Sequence, residues 1–218
     1  MTSRPFRLLL SVLLLWSLCW ADLPPQVVTE AQIKAAEKRF GPQAAKRLRA
    51  WQRLVDQSWE LPEREKLKRV NDFFNQARFV DDRILWHKQD YWATPVEFLG
   101  KFAGDCEDFA IAKYLTLRML RVPEKKLFLT YVKAIRLRQA HMVVTYFPKP
   151  LSVPLVLDNI NPRILPATQR RDLVPIYSFN GRGLWLAKQR GKGKLLGQST
   201  RLKKWRHLLQ RLKGSNPQ

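Results

Sequence analysis

The number and placement of cysteines constrain this chain more than any other feature of its sequence. Cys19 and Cys106 are the only two in 218 residues, and Cys19 lies in a segment that we expect to be removed on export. A lone thiol cannot form an internal disulfide, so the core of the mature protein must be held by packing alone. Cys106 is therefore either an inert buried residue or a reactive one.

Residues 1–21 have the pattern of a cleaved export signal. Arg4 and Arg7 form a short basic region, residues 8–16 form a nearly unbroken apolar stretch, and Ala21 supplies a small residue at the expected cut site. The apolar stretch is too short to span a bilayer. We therefore predict cleavage after Ala21, which would lower the net charge from +22 to +20 because two basic residues and no acidic ones are lost.

Hydrophobic periodicity divides the remaining chain into three parts. Residues 22–85 show helical spacing, starting with a capping box at Thr29 and Gln32, and form a predicted helical lobe. Residues 86–187 combine an aromatic loop, helical segments and alternating runs, and residues 188–218 form a basic tail without an acidic residue. This order predicts an α+β fold in which an N-terminal helical lobe packs on an antiparallel sheet.

The sheet is predicted from alternating runs in the second half of the chain. Residues 127–135, 140–147 and 153–160 are rich in valine, leucine, tyrosine and phenylalanine, and turn-like breaks separate them. Asn180 and Gly181 lie between two further apolar runs and are a strong hairpin signal. Consecutive hairpins of this kind predict antiparallel pairing.

Cys106 lies in the motif GDCEDFA, where a helix is predicted to begin at about the cysteine itself. Main-chain amides and the helix dipole at such a terminus stabilise a thiolate and could hold an oxyanion. Asp105, Glu107 and Asp108 act against this, because nearby carboxylates raise the pKa of a thiol. A bound Ca²⁺ would remove the conflict, although the spacing is not that of an EF-hand. The alternative is that these acids only complement the helix dipole.

Two downstream residues complete a possible catalytic set with the thiol. His141 begins one predicted strand and Asp158 lies near the end of the next, so a hairpin pairing would bring them together. A lone histidine in a strand is usually structural, but the order Cys106, His141, Asp158 supplies a nucleophile, a base and an orienting carboxylate. Residues 86–187 are therefore the predicted catalytic core.

Three stretches around these residues resemble the bacterial transglutaminase-like cysteine proteinases of the LapG type: GDCEDFAIAKYLTLRML, YVKAIRLRQAHMVVTYF and LVLDNI. The resemblance covers most of residues 86–187 and implies a papain/transglutaminase-like fold with the nucleophile at a helix N-terminus. It also implies a periplasmic protease that clips the N-terminal region of a large surface adhesin and so disperses biofilm. Cys106, His141 and Asp158 match the family's nucleophile, base and orienting residue.

The same resemblance implies a cofactor and a regulatory partner. The family depends on calcium held by acids beside the nucleophile, which here are Asp105, Glu107 and Asp108. It is restrained by the periplasmic domain of LapD, an inner-membrane receptor for cyclic di-GMP. Independently of the resemblance, the main-chain N–H of Cys106 is one expected oxyanion donor, and the second is expected from the aromatic loop, from Gln89, Trp92 or another group.

Other functions remain open from the sequence. The same three residues could transfer an acyl group to an amine, as transglutaminases do, or hydrolyse cell-wall peptides. The strong positive charge would also fit a nucleic-acid-binding protein, but export argues against that partner.

The basic tail contains a predicted amphipathic helix over residues 201–213. This helix either docks on the core through its apolar face or holds the protein near an anionic membrane or an acidic substrate.

Overall fold

The computed structural model describes residues 23–188 and 191–214, and the predicted signal segment with its cut after Ala21 lies outside them. The described residues form seven α-helices: α1 (Glu30–Phe40), α2 (Pro42–Ser58), α3 (Glu63–Phe74), α4 (Asp82–Leu85), α5 (Pro95–Lys101), α6 (Cys106–Met119) and α7 (Lys203–Gly214). None of the helices in this part of the chain is long and apolar enough to cross a membrane.

Nine β-strands accompany them: β1 (Arg78–Phe79), β2 (Ala103–Gly104), β3 (Leu127–Ala134), β4 (Gln139–Tyr146), β5 (Leu155–Leu157), β6 (Leu165–Pro166), β7 (Leu173–Phe179), β8 (Leu184–Lys188) and β9 (Gly191–Gly197). The main sheet has the order β6-β5-β4-β3-β7-β8-β9, with every neighbouring pair antiparallel. β1 and β2 form a separate parallel pair. The α+β architecture predicted from the sequence is confirmed.

Local signals set the helix boundaries. Thr29 opens α1 with a complete capping box, and Gly41 ends it at a φ of 87° that L-residues rarely adopt. Thr94 caps α5 in the same way with Glu97, and Pro95 occupies the first turn. α6 begins at Cys106 as predicted.

Helix α6 lies between the main sheet and the other helices. It is buried along most of its length and packs on β3 and β4 on one side and on the helices α3 and α5 on the other. The indole N–H of Trp51 in α2 donates to the hydroxyl of Thr116 in α6 at 2.9 Å. One continuous cluster of buried apolar residues runs from α1 through α6 to the sheet, so the helical segment and the sheet share a core.

The third predicted strand is shorter than expected. Of residues 153–160, only the three residues of β5 pair with β4, where Leu155, Val156 and Leu157 lie opposite residues 146, 145 and 144. Pro154 cannot donate to a ladder, and beyond β5 the carboxylate of Asp158 accepts the main-chain N–H of Ile160 at 3.1 Å. Asp158 therefore lies just outside the strand, beside β4.

The predicted amphipathic helix in the tail is α7, and its apolar face is buried. Trp205 is 1% exposed and Leu208 is 0% exposed. The indole of Trp205 packs edge-on against Phe179 of β7 and Tyr114 of α6, with ring centroids 5.3 and 6.0 Å apart. Leu202 and the first two residues of α7, Lys203 and Lys204, line the cleft described below.

Candidate active site

The first turn of α6 presents the thiol of Cys106. Gly104, just before this turn, allows the main chain to lie close to the side chain of Asp108, because a Cβ at this position would lie 2.5 Å from Oδ2 of Asp108. The Cys106 side chain is partly exposed, and its Sγ donates a hydrogen bond to Oε2 of Glu107 at 3.1 Å. The helix N-terminus predicted for the nucleophile is therefore present, with a carboxylate in contact with the thiol.

His141 and Asp158 form a buried hydrogen-bonded pair. The imidazole Nε2 lies 2.8 Å from Oδ1 of Asp158, and the two residues are 1% and 2% exposed. An ionised Asp158 accepts from Nε2–H, which leaves Nδ1 as the ring nitrogen that can take a proton. The antiparallel pairing of β4 with β5 produces this contact, as the sequence predicted.

Cys106 and His141 open into one cleft between the start of α6, the sheet and α7. Its other lining residues include both candidates for the second oxyanion donor, two stacked tyrosines and the start of α7: Gln89, Trp92, Met142, Tyr131, Tyr177, Leu202, Lys203 and Lys204. The three residues predicted to act together thus lie at one site, with the thiol and the imidazole facing a common opening.

Arg170 is a part of the site that sequence reasoning missed. Its Nη2 donates to Oδ2 of Asp158 at 2.7 Å and to Oδ2 of Asp172 at 2.8 Å. Burial alone would raise the pKa of Asp158, but the hydrogen bonds from His141 and Arg170 hold that pKa well below its usual value. Asp158 is therefore ionised whenever the protein is folded at neutral pH. In the sequence, Arg170 stands two residues before Asp172, and this spacing does not indicate a contact with Asp158.

The predicted metal-ligand residues lie in a cluster of carboxylates beside the thiol. Asp82, Asp105 and Asp108 each bring an oxygen within 4.8 Å of the others, and Glu107 belongs to two overlapping groups of the same kind. Asp82 was not predicted. The parallel pairing of β1 with β2 brings the start of α4 beside the start of α6, and no sequence spacing signals that approach.

Three buried oxygens of this cluster have no hydrogen-bond partner among the residues that the structure describes: Oδ1 of Asp82, Oδ1 of Asp105 and Oδ2 of Asp108. The opposite oxygens of Asp82 and Asp108 accept main-chain N–H groups of Tyr91 and Ala93. These hydrogen bonds fix the position of both carboxylates and leave the second oxygen of each without a donor among the described residues. Buried carboxylate oxygens without donors are costly, and hard oxygen ligands of this kind suit Ca²⁺.

The electrostatics of the cluster disfavour negative charge. Burial, together with repulsion from neighbouring carboxylates, raises the pKa of Asp82 to about 6 and that of Asp105 to about 10. Burial and the charges of Glu107 and Asp105 also raise the pKa of the Cys106 thiol far above its usual value. A divalent cation would offset these effects, so the residues present fit a calcium ion.

A basic side chain already reaches the rim of this cluster. Nζ of Lys204, from α7, forms an ion pair with the carboxylate of Asp90. Asp90 also groups with Asp82 and Glu107 as a possible metal-ligand set. The tail helix therefore carries positive charge to the edge of the candidate metal site.

Comparisons with known proteins agree with this geometry. Residues 42–183 match the family described as bacterial transglutaminase-like cysteine proteinase, whereas no curated protein matches the chain. The solved structure of Legionella pneumophila LapG is 43% identical, with a TM-score of 0.74 over 86% of this chain and 98% of that one.

Two further LapG structures from the same organism are similar to this chain. The EGTA-treated form is 44% identical, with a TM-score of 0.75 over 86% of this chain and 98% of its own. The calcium-bound form is 42% identical, with a TM-score of 0.72 over 85% and 99%. The chain therefore belongs to the bacterial transglutaminase-like cysteine proteinases and is a cysteine peptidase of the LapG type.

Proposed function

We propose that this protein is a periplasmic, calcium-dependent endopeptidase that cleaves the N-terminal region of a large surface adhesin, and that this cleavage promotes biofilm dispersal. The observation that carries the proposal is the buried His141–Asp158 hydrogen bond beside a cleft that also contains Cys106 at a helix N-terminus. The family membership and the LapG likeness support the reaction class.

Cys106, His141 and Asp158 would act as nucleophile, base and orienting carboxylate. Asp158 holds Nε2–H of the imidazole, so Nδ1 accepts the thiol proton and the thiolate attacks the scissile carbonyl. The imidazolium then protonates the leaving amine, and an acyl-enzyme remains on Cys106. Water, deprotonated by His141, hydrolyses that thioester and restores the free thiol. The main-chain N–H of Cys106 is a donor for the oxyanion.

Asp82, Asp105, Glu107 and Asp108 would hold the calcium ion. When bound, the ion supplies positive charge that offsets the carboxylates and lowers the pKa of the neighbouring thiol. Glu107 accepts a hydrogen bond from the thiol, and the neighbouring carboxylates oppose thiolate formation unless a cation offsets their charge. Activity is therefore expected to depend on calcium, and Mg²⁺ to replace it poorly because Mg²⁺ requires a tighter octahedral shell.

The partners proposed follow from the family. They are the adhesin substrate and the periplasmic domain of a LapD-like cyclic di-GMP receptor, with export directed by residues 1–21. The exposed side chains of α7, Lys203 and Arg206 among them, would make peripheral contact with an anionic membrane. Nucleic acid is not proposed as a partner.

The test is incubation of the mature protein with the N-terminal part of a large adhesin from the same genome, with calcium or with a chelator. Mass spectrometry should find a new N-terminus that appears only with calcium. An isopeptide crosslink would instead indicate a transglutaminase. Release of peptides from cell-wall fragments, with the adhesin intact, would indicate a cell-wall hydrolase.

A further inference from the structure

A buried lysine lies behind the candidate active site and has no role in the chemistry described above. Lys113 is on α6, two turns after Cys106, and is 1% exposed. Burial lowers its pKa to about 7, although the charges of Asp158 and Asp72 act in the opposite direction. Burying an amine without a contacting carboxylate is costly, so its contacts require an explanation.

Nζ of Lys113 donates three hydrogen bonds to three different residues. It reaches Oδ1 of Asn71 at 2.9 Å, Oδ1 of Asn75 at 2.6 Å and the main-chain carbonyl of Asp158 at 3.1 Å. Asn71 is in α3 and Asn75 ends it. One amine thus connects α6, α3 and the chain segment that carries Asp158.

The two asparagines extend the connection along that segment. Nδ2 of Asn75 donates to the same Asp158 carbonyl at 2.9 Å, and Nδ2 of Asn71 donates to the carbonyl of Pro162 at 2.8 Å. Each amide therefore accepts from Lys113 and donates to the segment after β5. The carbonyl of Asp158 is held by two donors at once.

This support matters because Asp158 is outside the sheet. β5 ends at Leu157, so no strand ladder fixes the main chain of Asp158. Its carboxylate meets His141, but the direction of that carboxylate depends on the position of its backbone. Since Lys113 and Cys106 share one helix, the Lys113 contacts also set the place of Asp158 relative to the nucleophile.

We propose that Lys113, with Asn75, is a positioning residue that holds the backbone of Asp158 and so keeps the His141–Asp158 pair aligned with Cys106. The proposal rests on the proposed function, because alignment matters only if these three residues act together. The competing explanation is that the buried polar cluster contributes to folding alone.

The experiment measures the rate of Cys106 alkylation by iodoacetamide from pH 5 to 10 at saturating calcium. Cys106 is the only cysteine of a chain that begins at Asp22, so alkylation reports on one site. Thiolate formed by proton transfer to His141 should give the wild type a reactive plateau at neutral pH that His141→Ala lacks. No substrate is needed.

In Lys113→Met, which keeps an unbranched side chain of similar size but loses the amine, the plateau should fall at least tenfold. Alkylation at pH 10, where hydroxide rather than the imidazole removes the thiol proton, should change less than twofold. Asn75→Ala should change the alkylation profile in the same direction. If Lys113→Met does not fold, the profile of Asn75→Ala tests the proposal alone. A destabilised protein with an intact site would not show this pH-selective loss.

Lys66→Met is the matched control. Lys66 is also buried, on α3, and its Nζ donates to the carbonyl of Leu120 at 2.9 Å, at the far end of α6. This variant should lose stability and keep the wild-type alkylation profile. Wild-type profiles in both Lys113→Met and Asn75→Ala would overturn the positioning role. Identical profiles in the wild type and His141→Ala would instead contradict the proposed activation of Cys106, and the positioning role would fall with it.

Discussion

Arg170 and His141 bind opposite oxygens of the Asp158 carboxylate. The guanidinium donates to Oδ2 at 2.7 Å and the imidazole Nε2 lies 2.8 Å from Oδ1. Both groups are buried, at 3% and 1% exposure. The carboxylate is thereby ionised and fixed in direction, which is what a base-orienting residue requires.

Replacing Arg170 by leucine should impair both activity and stability. Removing one partner of a buried ion pair costs about 3–5 kcal/mol of unfolding free energy, and kcat should fall while KM changes little. The pKa of Asp158 is depressed in the folded state, so its stabilising effect is present above its unfolded pKa and is lost as the pH falls below it. Acidification should therefore lower the free energy of unfolding less in the variant than in the wild type.

Urea unfolding between pH 3 and pH 7, together with steady-state kinetics, tests the Arg170 prediction. Arg182→Leu is the control, since Arg182 pairs with Glu124 while 71% exposed and should behave like the wild type. Unchanged kcat in Arg170→Leu would contradict the role assigned to the guanidinium.

Asp82→Asn should weaken calcium binding at least tenfold. The substitution keeps the side chain's shape but removes the charge from a carboxylate with an oxygen that has no donor. Isothermal titration calorimetry measures the effect directly, without reference to activity. Asp81→Asn is the control, because Asp81 is adjacent but pairs with Arg83. Equal calcium affinity in both variants would remove Asp82 from the ligand set.

Lys204→Ala should strengthen calcium binding. Its ammonium pairs with Asp90 at the rim of the carboxylate cluster, where a positive charge opposes a cation. The side chain is 46% exposed, so the expected gain is about two- to fivefold, which corresponds to roughly 0.5–1 kcal/mol. The same titration applied to Lys203→Ala should give a smaller change. Weaker binding in Lys204→Ala would show that the lysine supports the site.

The tail helix should be required for stability. Trp205 fills a space between α6 and β7, and Trp205→Ala should cost about 3–5 kcal/mol, whereas Arg206→Ala on the exposed face should cost little. Deleting residues 190–218 should lower the melting temperature and reduce cleavage of a short peptide and of the full substrate equally. Loss of cleavage confined to the full substrate would contradict this structural role, whereas weaker binding of the truncated protein to anionic vesicles is expected from the membrane contact proposed for α7.

The parts of the site that the sequence predicted are those with local signals. The apolar period places Cys106 at the start of a helix. The pairing of His141 with Asp158 followed from the order of two predicted strands. These signals act within a few residues or between neighbouring strands, so no tertiary information was needed.

The unpredicted parts depend on distant segments meeting. Asp82 reaches the metal cluster only because β1 pairs with β2, and each of these strands has two residues. Arg170 and Lys113 approach Asp158 from a loop and from a buried helix face, where a basic residue gives no periodic signal. Such contacts are set by the packing of the whole core.

The most direct test of the central claim compares wild-type protein and Cys106→Ala for cleavage of the adhesin fragment at saturating calcium. The account predicts that the wild type generates one new N-terminus, that a chelator stops this, and that Cys106→Ala binds calcium and unfolds like the wild type yet gives no product. His141→Ala should also be inactive and Asp158→Asn strongly impaired. Wild-type turnover by Cys106→Ala would contradict the thiol mechanism.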